Sequence, residues 1–156
     1  MKVLTPPHEM IVDNQVVVFL AGSIEMGIAK EWQQLAIDLF DSMIPEEKKA
    51  DYLLLNPRRP DWDPSWKQEI DNPPFYEQVK WELKGLQQAD HILVYFDPAT
   101  KSPVSLLELG AFHNKAIVIC PQGFWRKGNV DIFCDVFNVK QAPDLKSAVA
   151  LIVGER

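Results

Sequence analysis

A chain of 156 residues with 47% hydrophobic residues and a net charge of −6 suits one domain with a buried core. The acidic balance and the lack of a basic run exclude a protein that works by non-specific attraction to a nucleic-acid backbone, so no polymeric nucleic acid is expected as partner. The opening MKVLTPPHEM lacks the apolar core of a signal peptide, and no apolar run reaches the roughly eighteen residues of a membrane span, so a cytoplasmic protein with no membrane partner is expected.

After a polar leader over 1–14, the run VVVFL at 16–20 has the continuous β-branched and aromatic character of a strand buried on both faces. It ends in Ala21-Gly22-Ser23, which suits either a backbone in close approach to a ligand or a plain tight turn. Over 27–43, Ile28, Trp32, Leu35, Leu39 and Met43 recur at helical spacing and predict one crossover helix. A solvated EEKK connection leads to a second strand, YLLL at 52–55, which Asn56-Pro57-Arg58 stops.

Residues 57–73 lack periodicity and contain four prolines and two tryptophans. So long a loop in a compact domain is functional or disordered, and the tryptophans argue against disorder. It reads as a lid; the alternative is an irregular loop whose Trp62 and Trp66 plug into the core. A helix is predicted over 74–89 with a core stripe of Phe75, Val79, Leu83 and Leu86, and Glu82 falls on that face. A salt bridge or capping role is the structural alternative for Glu82.

The third strand is HILVYF at 91–96, ending at Asp97-Pro98. Ser102 has the character of an N-cap and Pro103 suits the first position of a helix over 104–115. AIVIC at 116–120 is the fourth strand, followed by a loop with Phe124, Trp125, Arg126 and Lys127, a short helix over 129–137, a short edge strand at Val139 and a terminal helix over 144–153. Alternating strands and helices predict an α/β fold with a five-stranded parallel sheet covered on both sides, and ligands of such sheets sit at the carboxyl ends of the strands. Gly22, Ser23, Asn56, Arg58, Asp97 and Ser102 all fall at those ends.

Glu108 stands in an apolar helix among Leu106, Leu107 and Leu109, where an ionised carboxylate is costly unless it is paired or functional. With Glu82 on the preceding helix it forms a pair suited to glycosidic chemistry: one carboxylate attacks or stabilises the anomeric carbon, the other manages a proton. Glu108 is the better nucleophile candidate, and it needs hydrogen-bond donors to stay ionised, for which Tyr95, Ser23 and Ser102 are candidates. There is no P-loop and no GxSxG elbow. The histidines at 8, 91 and 113 have no metal spacing, Cys120 and Cys134 read as reduced, buried thiols, and no motif implies a metal or organic cofactor.

LAGS at 20–23, ELKGLQQAD at 82–90 and SPVSLLELGAF at 102–112 together resemble, in order, the motifs of the nucleoside 2-deoxyribosyltransferase family, particularly its divergent branch. The resemblance implies a single-domain, flavodoxin/Rossmann-like fold over 1–156. It implies that Glu108 attacks C1′ of a 2′-deoxyribonucleoside to form a deoxyribosyl ester, and that a free nucleobase then attacks, with retention by two inversions. Glu82 stands where the family usually has an aspartate that handles the nucleobase proton. Ser102 stands where typical transferases hold the 5′-hydroxyl with an aspartate, and a serine there resembles deoxynucleoside 5′-monophosphate N-glycosidases, making hydrolysis of a nucleotide the alternative. Asn129 matches an asparagine lent to the neighbouring subunit's sugar site, which implies a homo-oligomer built from dimers, up to a tetramer or hexamer. With Glu108 and Glu82 catalytic, the expected substrate-binding set is Gly22, Ser23, Asn56, Arg58, Trp62, Phe75, Asp97, Ser102 and Asn129. A non-catalytic nucleotide-binding domain on the same fold is the remaining alternative.

Overall fold

A computed structural model describes residues 1–25, 28–59 and 61–154. The apolar runs form parallel strands β1 (Lys2–Leu4), β2 (Val16–Gly22), β3 (Tyr52–Leu55), β4 (His91–Tyr95), β5 (Ala116–Ile119) and β6 (Lys140–Gln141), in the order β1-β3-β2-β4-β5-β6. Without β1, this is the doubly wound arrangement in which winding reverses between β2 and β4, leaving a crevice at their carboxyl ends. The register pairs Gly22 with Tyr95, so both strands end level at that crevice.

Alternate residues of each strand enter opposite cores. Val18, Leu20, Leu54, Leu93 and Ile117 meet α1 (Trp32–Met43) and α5 (Leu145–Gly154) through Trp32, Ala36, Phe40, Ala148, Val149 and Ile152. Val17, Phe19, Leu53, Ile92, Val94 and Val118 meet the helices of the other face: α2 (Pro73–Gln88), α3 (Pro103–Phe112) and α4 (Lys127–Val136). Asp90 ties the start of β4 to β2: its carboxylate accepts from the Val17 N–H at 2.8 Å, and its own N–H donates to the Val17 carbonyl at 2.9 Å.

Several expectations are corrected. The sheet has six strands, not five, because part of the supposed polar leader forms β1 alongside β3. Leu4 and Met10 are buried, and Trp81 Nε1 donates to the His8 carbonyl at 2.8 Å, so this segment is packed against the body. The helix expected over 27–43 begins at Trp32; Gly27 lies outside the described residues, and Leu35 is 56% exposed while Ala36 is buried. On α2, Leu83 is exposed and Trp81 lies inside, because Gly85 brings the helix so close to Phe19 that the inward arc centres on the glycine. The helix expected over 104–115 ends at Phe112, followed by a 3₁₀ turn, and α4 starts at Lys127 rather than 129.

Candidate active site

The floor of the crevice is made where β2 and β4 end. Gly22 has φ +135°, and a β-carbon there would lie 2.2 Å from the Tyr95 carbonyl oxygen, so only glycine lets the strands finish in contact. The Ser23 N–H then donates to that carbonyl at 2.9 Å. Ser23 Oγ accepts from the Asp97 N–H at 2.8 Å and lies 2.8 Å from Thr100 Oγ1 and 2.5 Å from Ser102 Oγ, while Thr100 and Ser102 are 2.8 Å apart. All three hydroxyls are buried and satisfy one another. The buried Asp97 carboxylate accepts from the N–H groups of Ala99 and Lys30, both at 2.9 Å, and so fastens the two loops together.

Ser102 does not cap α3 through its side chain. It adopts a left-handed conformation (φ +49°) with its hydroxyl turned into the floor. The exposed end of the helix is met from the other loop: Glu25 Oε1 accepts from the N–H groups of Lys101 at 2.6 Å and Ser102 at 2.5 Å. Glu25 and Thr100 are the floor residues that sequence reasoning missed. For Glu25 no local signal exists, since its partners lie 76 and 77 residues away.

Above the floor, Glu82 of α2 and Glu108 of α3 come within electrostatic reach. Burial, reinforced by the negative charge of Glu82, pushes the Glu108 carboxyl up to about 8. Burial also raises Glu82, and the Gln78 amide opposes that rise by donating to Glu82 Oε1 at 2.8 Å. None of the candidate donors serves Glu108: Ser23 and Ser102 bond within the floor, and among the described residues no hydrogen bond reaches the Glu108 carboxylate. Its setting also differs from the expected ring of leucines. Leu109 is buried and Leu106 packs on the core, but Leu107 points outward, 73% exposed.

Gln78 is a further residue missed, although its position four residues before Glu82 on one helix face was the available signal. Its Nε2 also donates to the Pro57 carbonyl at 3.2 Å, and its Oε1 accepts from Arg59 at 3.4 Å, so the amide is fixed with its donors toward Glu82. Arg59 forms a two-pronged pair with Asp61 and lies 5.3 Å from the ring of Trp66, which packs 5.0 Å from Trp62. Residues of the 57–73 segment thus connect stepwise to Glu82. Among the described residues the buried Trp62 indole N–H has no acceptor.

The remaining expected site residues are placed as follows. Arg58 donates to the carbonyls of Ala29 and Lys30 and to Gln33 Oε1, and Asn56 Oδ1 accepts from the Arg58 N–H, so this pair clamps the segment after β2. Phe75 is half-buried in the first turn of α2, and Asn129 is exposed at the start of α4. A groove of about 620 Å³ lies on the other face of the sheet, lined by Leu35, Leu39, Tyr95, Ile119 and Leu145 among others, and it contains neither Glu82 nor Glu108. Among the described residues no cluster of three or more metal-ligating side chains occurs, and no helix is long and apolar enough to cross a membrane.

A doubly wound α/β protein with a half-buried carboxylate pair on the helices that flank its topological switch point is the class that fold and geometry define. A family model described as nucleoside 2-deoxyribosyltransferase like matches residues 15–124, and the chain belongs to this family. The match spans β2 through β5 and includes the whole floor, Gln78, Glu82 and Glu108. A search of curated proteins finds no match.

Proposed function

We propose that this protein transfers the 2-deoxyribosyl group between nucleobases of 2′-deoxyribonucleosides. The observation that carries this reading is the carboxyl pair Glu108 and Glu82 in a chain of the family, both raised by burial and Glu108 further by the charge of Glu82. A Glu108 oxygen attacks C1′ from the side opposite the base; the N-glycosidic bond breaks, its electron pair leaves with the base, and Glu82 gives that base a proton. In the second half, an incoming base attacks C1′, the ester bond to Glu108 breaks, and Glu82 recovers the proton, so configuration is retained.

The pair supplies the required proton. Burial and the charge of Glu82 hold the Glu108 carboxyl up at about 8, so Glu108 carries a proton at neutral pH. In the empty site Gln78 favours the charge on Glu82, leaving the proton on Glu108. A base acceptor beside Glu82 and positive charge developing at C1′ reverse that distribution, so substrate itself generates the ionised nucleophile and the proton donor. Incubating thymidine with adenine should yield deoxyadenosine on chromatography. Production of deoxyribose and free thymine alone, with every acceptor base offered, would overturn the transfer reading in favour of hydrolysis.

The working unit is proposed to be a homo-oligomer. Helix α3 is apolar nearly all round, and a helix of that kind needs cover on each side. Val104 and Leu107 point outward, and next to them α4 shows Ile132, Val136 and Phe137; His113 packs 5.2 Å from Phe137 and joins the two exposed faces. A second copy on this face would also bring Asn129 at the head of α4 toward a neighbouring site. Light scattering should give a mass of at least two chains, and Leu107→Glu should reduce it toward the monomer; a wild-type monomer at micromolar concentration would refute the assembly.

A further inference from the structure

The charge on Glu82 depends on which way round one buried amide stands. Gln78 is 4% exposed, and its Nε2 has two acceptors, the Pro57 carbonyl at 3.2 Å and Glu82 Oε1 at 2.8 Å. Its Oε1 has one donor, Arg59 Nη1 at 3.4 Å. A reversed amide would set its oxygen against the Pro57 carbonyl and its N–H groups against the guanidinium. It would also face Glu82 with an acceptor, which suits only a protonated carboxyl. The two orientations therefore favour opposite charge states of Glu82. Pro57 contributes through its main chain, so Arg59 is the side chain that holds the oxygen end. Arg59 is itself fixed: only 12% of its side chain is exposed, and Asp61 takes Nε at 2.7 Å and Nη2 at 2.5 Å, which leaves Nη1 for Gln78.

We propose that Arg59 is a positioning residue for proton transfer: by holding Gln78 Oε1 it keeps the amide N–H on Glu82 Oε1, so that Glu82 Oε2 is the atom that gives the proton to the departing base and takes it back from the incoming one. The use of that proton rests on the deoxyribosyl-transfer reading, whereas the chain from Arg59 through Gln78 to Glu82 stands on geometry alone. Among the described residues Glu82 Oε2 carries no hydrogen bond, so it is open to a substrate. The charged groups that bear on Glu82 are Glu108 from α3 and, by way of Gln78, Arg59 with Asp61 from the segment after β3. The two-pronged pairing with Asp61 offsets the guanidinium charge, so Arg59 acts on Glu82 through the amide and not through its own field. Once that hold is lost, the effect of burial on Glu82 is less opposed. Every state with Glu82 ionised then becomes less favourable by the same amount, so Glu82 keeps its proton to higher pH while Glu108 loses its own no earlier.

The test is carbon-13 NMR of the glutamate side-chain carboxyls as pH is varied, with the two resonances assigned through Glu82→Gln and Glu108→Gln. Wild type, Arg59→Met, Gln78→Met and the double variant are compared. Arg59→Met should raise the Glu82 midpoint by about 0.5–1 pH unit, the partial loss of a hydrogen bond to a charged group. Gln78→Met should raise it further, and adding Arg59→Met to Gln78→Met should change nothing more, because the amide through which Arg59 acts is gone. An unchanged Glu82 midpoint in Arg59→Met overturns the inference, as does a second rise of equal size in the double variant, the mark of a direct charge effect. If the Gln78 variants do not fold, the Glu108 midpoint of Arg59→Met decides: a rise at Glu82 alone supports the amide route, and an equal rise at both carboxyls overturns it. In kcat/KM, the acid limb of the Arg59→Met pH profile should move up by the same amount while the alkaline limb does not fall. A loss of rate uniform across pH would instead mark a purely structural role and overturn the assignment. If wild type cleaves no 2′-deoxyribonucleoside, the transfer reading fails, and the NMR midpoints still decide whether Arg59 acts on Glu82.

Discussion

Glu108→Gln is expected to lower turnover by at least about 10⁴-fold, because it removes the nucleophile while leaving size and burial unchanged. Glu82→Gln should cost less, on the order of 10² to 10⁴, the range for loss of a general acid, and least with bases that leave readily without protonation. The wild-type pH profile should be bell-shaped. With Glu108 pushed up to about 8, its proton is lost as pH rises through that value, and Glu108 can no longer pass one by way of Glu82 to the departing base. At low pH both carboxyls are protonated and the nucleophile is lost. Glu82→Gln should also change the profile, because the Glu82 charge helps to raise Glu108; a profile identical to wild type would show that the two carboxyls do not interact. These measurements require initial rates from pH 5 to 9 and mass spectrometry for a deoxyribosyl adduct that Glu108→Gln cannot form.

The same substitution should make the fold more stable in alkali. An unfolded glutamate releases its proton near pH 4.3, whereas folded Glu108 retains it up to about 8. Between those values the folded protein binds the additional proton, so stability falls as pH rises across the window and stays reduced above it. The cost of ionising this buried group is on the order of 3–5 kcal/mol. Glutamine cannot ionise, so Glu108→Gln should raise the melting temperature at pH 9 by on the order of 5–10 °C, with little change at pH 5, where both residues are neutral. Thermal melts at pH 5, 7 and 9 provide the check. A gain of equal size at every pH would trace the effect to packing and not to charge, and destabilisation at pH 9 would contradict the burial argument. Such a gain is the expected counterpart of a reactive group held where it is costly to ionise.

The strands were legible because VVVFL, YLLL, HILVY and AIVI lie between two helical layers, a setting that selects continuous apolar runs. Strand β1 was not, since three residues next to a proline pair carry too little pattern to separate from a loop. Helix faces were harder. Close approach to the sheet selects small residues such as Ala36 and Gly85, whereas Leu35 and Leu83 stand outside, so a rule that assigns large apolar residues to the core misses the inward arc. Within the candidate site, Glu108 and Glu82 could be found from local context because each interrupts an apolar helical face. Thr100, Gln78 and Glu25 owe their places to partners on other elements or to geometry that a linear pattern does not encode. Ser102 shows the same limit: spacing placed it at the head of α3, but its left-handed backbone turned the hydroxyl away from the helix.

The interlocked hydroxyls of Ser23, Thr100 and Ser102 bear on how this protein can acquire new substrates. Each is satisfied by the other two, so one replacement strands buried polar atoms and slackens both loops at once. That part of the molecule can change only by concerted exchange of several residues, which makes single-step mutational paths through it short. The stretch from 57 to 73 is anchored differently, by side chains of Arg58 and Arg59 reaching out from its start. Its length and aromatic content are free to vary while those anchors stay. Diversity in selection experiments belongs there, where a randomised library that keeps those anchors leaves the interlocked floor hydroxyls untouched.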